Sequence, residues 1–185
     1  MILSTLRKKY EKKAVFSIWE VRKHTKYAYQ LIHYLLKKKE IFRITKGYYT
    51  FHKDIMVVGE AYFPYYYGLY EALSLFHITE QQTNPILITP RKVRTGTRIF
   101  LDRNYVIKRI KRSMFFGFRT IKYYDFYIYI SSPEKTLIDF IYFKQHIKEN
   151  ELNKLLEIID MKKLSNYLKR CPTFVKKHIK SLTLF

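Results

Sequence analysis

FSIWEVRKHTKYAYQLIHYLLKKKEIFRITKGYYTF, residues 16–51, decides the fold, because two helix signals and a hairpin signal follow one another in it without a break. Ser17 with Glu20 three places on is a capping box, and Phe16 with Val21 stands at the two ends of a hydrophobic staple. A first helix is therefore expected to begin at Ser17, carry Ile18, Trp19 and Val21 inward, and end near His24. Thr25 is placed to cap a second helix, which leaves only the short turn that a helix-turn-helix requires.

The second helix, 26–38, sorts its residues by face when stepped at the helical angle. Ala28, Leu31, Ile32 and Leu35 fall on one side, Lys26, Gln30, His33 and Lys37 on the other, with Tyr29 and Tyr34 on the flanks. Lysine reaches phosphate or guanine, glutamine can bond adenine through N6 and N7, and a tyrosine ring can touch a thymine methyl. A plain amphipathic helix with a solvated polar face has the same pattern, so the helix alone leaves both readings open.

The next residues narrow the choice. Ile41–Thr45 and Tyr48–Phe51 are two short β-prone runs joined by Lys46-Gly47, a turn pair in which glycine supplies the backbone freedom. A basic hairpin directly after a basic helix is the plan of a winged helix. Lys37, Lys38, Lys39, Arg43 and Lys46 would lie beside the phosphate backbone and fix register without reading sequence. Double-stranded DNA is the expected partner, met by Lys26, Tyr29, Gln30, His33, Tyr34, Lys37, Arg43 and Lys46.

Composition points the same way. The chain has 185 residues, 36 Lys plus Arg against 15 Asp plus Glu, and a formal charge of +21. Such an excess repels itself unless a polyanion is near. Hydrophobic residues make up 48%, enough for a real core and too many for a disordered basic tail. Cys171 is the only cysteine, which excludes an intrachain disulfide and a cysteine-built zinc site and fits a reducing cytoplasm. The first thirteen residues lack the apolar stretch of a secretory signal, and no apolar run approaches the roughly 18 residues needed to span a bilayer. A cytoplasmic protein with no membrane partner is expected.

Outward from the central stretch, residues 2–14 carry Leu3, Leu6, Tyr10 and Ala14 at helical spacing and predict a support helix. The fold class expected is α+β, with a winged helix-turn-helix over 1–55 followed by a mixed α+β domain over 56–185 that holds a small antiparallel sheet and C-terminal helices. Ile55–Val58 reads as a short strand or linker. The cluster Tyr62, Tyr65, Tyr66 and Tyr67 suits a core or a domain seam better than stacking on unpaired bases, and a helix is expected over Leu69–Phe76. Ile86–Thr89, Arg98–Leu101, Tyr105–Lys111 and Thr120–Ile130 read as strands, the last with Tyr124, Phe126, Ile128 and Ile130 on one face.

Within those strands lies the most basic segment: Arg91, Lys92, Arg94, Arg98, Arg103, Lys108, Arg109, Lys111, Arg112, Arg119 and Lys122, opposed only by Asp102. A solvated face and a second contact with DNA or RNA both fit it. Ser132-Pro133-Glu134 then supplies an N-cap, an N1 proline and a first-turn acid for a helix with Leu137, Ile138 and Ile141 inward. Leu152, Leu155, Leu156 and Ile159 form a further helical stripe, Leu164, Tyr167 and Leu168 another, and Thr173 opens a last basic helix.

Chemistry is not written into the chain. The histidines at 24, 33, 52, 77, 146 and 178 show no ligand spacing, and no Walker loop, GxGxxG or GxSxG occurs. A nuclease would want an acid and a lysine two places on along a strand. Glu11 to Lys13 and Asp160 to Lys162 fall in expected helices, and the strand acid Asp125 is followed at that distance by Tyr127. No catalytic residue, metal or cofactor is assigned, and the protein is read as a non-enzyme.

Four stretches stand in order along the chain: Lys46-Gly47-Tyr48-Tyr49 at the end of the winged helix, Tyr66-Tyr67-Gly68-Leu69-Tyr70-Glu71-Ala72-Leu73 leading to His77-Ile78-Thr79-Glu80, the strand Ile86–Thr89 with its basic follow-on, and Ser132-Pro133-Glu134-Lys135-Thr136-Leu137-Ile138-Asp139. In these residues and this order of elements the chain resembles the AbiEi-type antitoxins of type IV toxin-antitoxin systems. The stretch from Ser132 is similar to the family's S/D-P-E-R/K-T-L-x-D. The resemblance implies a winged helix that represses the protein's own operon through inverted repeats, for which a homodimer on DNA would be suited. It also implies a C-terminal domain that counters a nucleotidyltransferase-like toxin without a stable complex. The chain is short for such antitoxins. A free-standing winged-helix transcription factor, its second domain serving dimerisation or extra nucleic-acid contact, is the alternative.

Overall fold

The Ser17 hydroxyl accepts the Glu20 amide at 3.3 Å while the Glu20 carboxylate accepts the Ser17 amide at 2.8 Å, the reciprocal cap that the spacing predicts. The computed structural model describes residues 8–10, 13–80 and 83–183. The cap lifts the chain out of a two-residue strand, β1 (Phe16–Ser17), into α1 (Ile18–Arg22). A turn leads to α2 (Ala28–Lys37), and β2 (Phe42–Thr45) and β3 (Tyr48–Thr50) form the hairpin. β3 lies between β1 and β2 and is antiparallel to both, which pins the hairpin to the start of the helix-turn-helix. Gly47 turns the hairpin at φ +82°, a region that side chains avoid. Phe16, Ile18, Val21, Ala28, Ile32, Leu35, Ile41 and Tyr49 fill the core beneath.

Two details differ from the sequence reading. Trp19 does not point inward but is 66% exposed. On a helix it sits about 100° from Ile18 and about 160° from Val21, off the stripe that those two define. Thr25 does not cap α2. Its hydroxyl accepts the Tyr27 amide at 3.1 Å in a local turn, Tyr27 takes the N-cap position, and Lys26 therefore lies in the turn before the helix. The support helix over 2–14 falls largely outside the described residues, Leu3 and Leu6 included; Tyr10 is helical and buried.

Ile55–Val58 is neither strand nor linker. Asp54 accepts the Met56 amide at 2.8 Å and caps a 3-10 helix, Ile55–Tyr62, that is almost wholly buried. Val15 and Ile44 of the winged unit share a buried cluster with Ile55, Met56, Val57 and Val58, and the Thr50 hydroxyl donates to the Ala14 carbonyl at 2.6 Å.

The rest of the chain builds one sheet from β4 (Tyr66–Tyr67), β5 (Ile86–Thr89), β6 (Gly96–Phe100), β7 (Arg103–Arg109), β8 (Phe118–Tyr123) and β9 (Phe126–Ser131), in the order β6-β7-β5-β4-β9-β8. The class is α+β, as expected, but this sheet is larger than the sequence suggested and mixed, since β5 with β7 and β4 with β9 are parallel. The run read as one strand over Thr120–Ile130 is a hairpin, with Tyr124 and Asp125 in the turn. Tyr-Asp is not a favoured turn pair. The sign was a slip of one residue in the inward set, from Ile121 and Tyr123 to Phe126 and Ile128.

Both faces of the sheet are covered, which is why β5 reads as four consecutive buried residues. Tyr66, Ile86, Ile88 and Ile110 meet the helices: α3 (Tyr70–Leu75), α4 (Pro133–Tyr142), α5 (Glu149–Glu157), α6 (Met161–Leu168) and α7 (Thr173–Thr183). Tyr67, Leu87, Tyr105 and Ile107 meet the 3-10 helix. Tyrosine serves at these sites because each hydroxyl finds a partner. That of Tyr67 accepts the Gly59 amide at 3.0 Å and donates to the Met56 carbonyl at 2.9 Å, and those of Tyr62 and Tyr105 meet at 3.0 Å.

The stretch Ser132–Asp139 proves to be architectural. Ser132 is the N-cap of α4 and Pro133 its first residue. Glu134 takes the Ser132 hydroxyl at 2.6 Å, the Asp160 amide at 3.2 Å and the Lys163 ammonium at 2.9 Å, tying α4 to the start of α6. Lys135 and Asp139, one turn apart and both wholly buried, form an ion pair, and the Tyr66 hydroxyl donates to Asp139 at 2.8 Å.

Candidate nucleic-acid interface

α2 presents its polar side outward because its apolar side is committed: Ala28, Ile32 and Leu35 are buried. Opposite them Gln30, His33 and Lys37 are exposed, flanked by Tyr29, 62% exposed, and Tyr34, 46% exposed. The side chains of Gln30, His33 and Lys37 have no hydrogen-bond or ion-pair partner among the described residues. The structure therefore gathers on one surface the helical residues that the sequence assigned, with Lys26 at its leading edge.

The hairpin adds cations. Arg43 and Lys46 are exposed, as are Lys37, Lys38 and Lys39 at the end of α2, and none of them pairs with an acid among the described residues. Glu20, the acid of α1, is occupied by its cap and by Lys13. Those contacts hold its carboxyl below the usual range although burial pushes it up.

The sequence reading missed the exposed rings of Trp19 and Tyr27, and that exposed cations lie beside these and beside Tyr34. The Arg22 guanidinium lies 4.8 Å from the Trp19 ring, the Lys26 ammonium 5.3 Å from the Tyr27 ring, and the Lys38 ammonium 5.9 Å from the Tyr34 ring. Such pairs steady a long cation while leaving it open to an anion. The angle of Trp19 on α1 was the available signal.

The second basic group does not stay together. Arg91, Lys92, Arg109, Lys111 and Arg112 line one cleft. The Arg98 guanidinium donates to the Arg94 carbonyl at 3.0 Å, beside β6. Arg103 faces Glu71 in a separate small pocket, where burial pushes the Glu71 carboxyl up to about 7 against the pull of Arg103. Lys108 packs its ammonium 5.4 Å from the Phe143 ring, and burial holds it below the ordinary lysine value.

Among the described residues no group of three or more His, Cys, Asp or Glu could hold a metal ion, and no helix is long and apolar enough to cross a membrane. Asp125, read as a strand acid, lies in the β8–β9 turn. Compared with known proteins, the chain matches no protein-family model and no curated protein sequence.

Proposed function

We propose that the protein is a sequence-specific, double-stranded-DNA-binding regulator that represses its own operon and, following the sequence resemblance, serves as the antitoxin of a type IV system. The observation that carries the first part is the outward face of α2, polar, exposed and unpartnered, on the second helix of a helix-turn-helix with a basic hairpin beside it. A ten-residue helix is about 15 Å long, and with its side chains about 10–12 Å across it enters a major groove about 12 Å wide. Tyr29, Gln30 and His33, in its first turns, are the residues that would reach base edges. Arg43, Lys46 and the run Lys37–Lys39 would grip phosphates on either side.

The antitoxin half rests on the quoted motifs alone. It assigns the region after residue 55 to action against a nucleotidyltransferase-like toxin without a stable complex.

Footprinting on the DNA upstream of the protein's own gene tests both halves when paired with a growth assay. Protection of an inverted repeat is expected, its half-sites about 10 base pairs or a multiple apart for a two-fold dimer. In cells carrying a neighbouring nucleotidyltransferase-like toxin, the wild type should restore growth, and Gln30→Ala/Lys37→Ala should lose repression while keeping that protection. Repression without protection would make the protein a dedicated transcription factor. An unprotected upstream region would remove autorepression.

A further inference from the structure

We propose that the cleft at the carboxyl ends of β5 and β7 binds the clustered phosphates of a small nucleotide, of the nucleoside-triphosphate class. These strands are parallel neighbours, Thr89 opposite Arg109, and both end at this point. The chain leaves them as Pro90-Arg91-Lys92 and Ile110-Lys111-Arg112, and the two exits diverge around a cleft of about 630 Å³ with Tyr142 at its side. Carboxyl ends of parallel strands are where open sheets leave room for ligands.

Five cations, Arg91, Lys92, Arg109, Lys111 and Arg112, line this concavity with no acid among them, and none has an ion-pair partner among the described residues. They come from two segments separated by a hairpin, so a single charged loop turned to water does not account for their meeting. Like charges round one concavity repel, and low-dielectric walls focus their field on whatever anion enters. Arg91 is steadied by donating to the Ala61 and Phe63 carbonyls at 3.3 and 3.4 Å, while Lys92, Arg109, Lys111 and Arg112 are exposed.

Size and shape select among phosphates. A cleft of this volume lies within the range of single-ligand sites, about 300–1,000 Å³. A duplex spreads its charge along its axis, about one per 1.7 Å, and is met by a stripe of cations. A triphosphate concentrates its charge at one end, which suits five cations converging on a concavity. The half-buried Tyr142 ring, with the half-buried Pro90, offers the apolar surface on which a base can rest. This site shares no residue with the α2 surface, and it stands or falls independently of the DNA reading.

Calorimetric titration of the full chain at fixed ionic strength tests it, with ATP, ADP, AMP, inorganic triphosphate and a short single-stranded oligonucleotide as probes. Affinity should rise from AMP to ATP. Lys111→Ala/Arg112→Ala should weaken ATP by about tenfold or more, as loss of charged hydrogen bonds requires, and Lys92→Glu on the other exit should do likewise. Arg119→Ala/Lys122→Ala removes equal charge from exposed positions of β8 outside the cleft and should leave ATP within about twofold once salt screens distant charges. Equal ATP affinity in the wild type and both cleft variants, or no dependence on phosphate number, overturns the proposal. So does an oligonucleotide that loses affinity on the cleft variants while ATP fails to bind, since the cleft would then hold a nucleic-acid backbone. Thermal melts matching the wild type establish that the variants are folded.

Discussion

Affinity for duplex DNA should fall about 10³- to 10⁵-fold as salt is raised from about 50 to about 200 mM, the loss expected for roughly 6 to 10 phosphate contacts. Lys26, Lys37, Lys38, Lys39, Arg43 and Lys46 are all exposed on the winged helix, and none is neutralised by an acid among the described residues. Each phosphate they cover releases condensed counterions, so the logarithm of affinity should drop against the logarithm of salt with a slope near −0.9 per contact. Fluorescence anisotropy of a labelled duplex across a salt series reads that slope directly. A slope shallower than about −2 would mean only about two contacts, too few for the basic helix end and hairpin to lie along the backbone.

Asp139→Asn is expected to destabilise the fold by about 3–5 kcal/mol, the range for removing one partner of a buried ion pair. Lys135 and Asp139 are both 0% exposed, and the Lys135 ammonium lies 5.6 Å from the Tyr66 ring and 5.2 Å from the Phe116 ring. Burial pushes the Asp139 carboxyl up, while Lys135 and the Tyr66 hydroxyl pull it back. With the carboxylate gone, the ammonium is left among aromatic rings that cannot replace its hydration. Replacing both, Lys135→Met with Asp139→Leu, removes the two desolvation costs together and should recover most of the loss, since such swaps are often neutral or stabilising by about 1–4 kcal/mol. Urea melts of the two variants separate the cases. A single substitution costing less than about 1 kcal/mol would mean that the pair is not a desolvated one.

Residues 16–51 were legible because their signals are local. The cap at Ser17, the stripe Ala28-Ile32-Leu35 and the glycine at 47 each act within a few residues, and each is in place. The six-stranded sheet was not legible, because its order depends on pairings such as Tyr67 with Ile130, far apart in the chain. No local rule reports those. The 3-10 helix at Ile55–Tyr62 escaped for a related reason, since a short run apolar on every side carries no periodicity to separate strand from helix. Of the site, the face of α2 could be read from angles alone. The five-cation cleft needed the fold to bring 90–92 beside 109–112, and without it the eleven cations of that region looked alike.

Competition binding between an operator duplex and a scrambled duplex, measured for Gln30→Ala, His33→Ala and Lys46→Ala, tests the reading role of α2 most directly. Gln30→Ala and His33→Ala should each cost about 1–3 kcal/mol on the operator, the worth of a good base contact, and little on the scrambled sequence. Lys46→Ala should weaken both duplexes alike. Equal losses on the two duplexes for Gln30→Ala and His33→Ala would contradict the account, because α2 would then hold DNA without reading it.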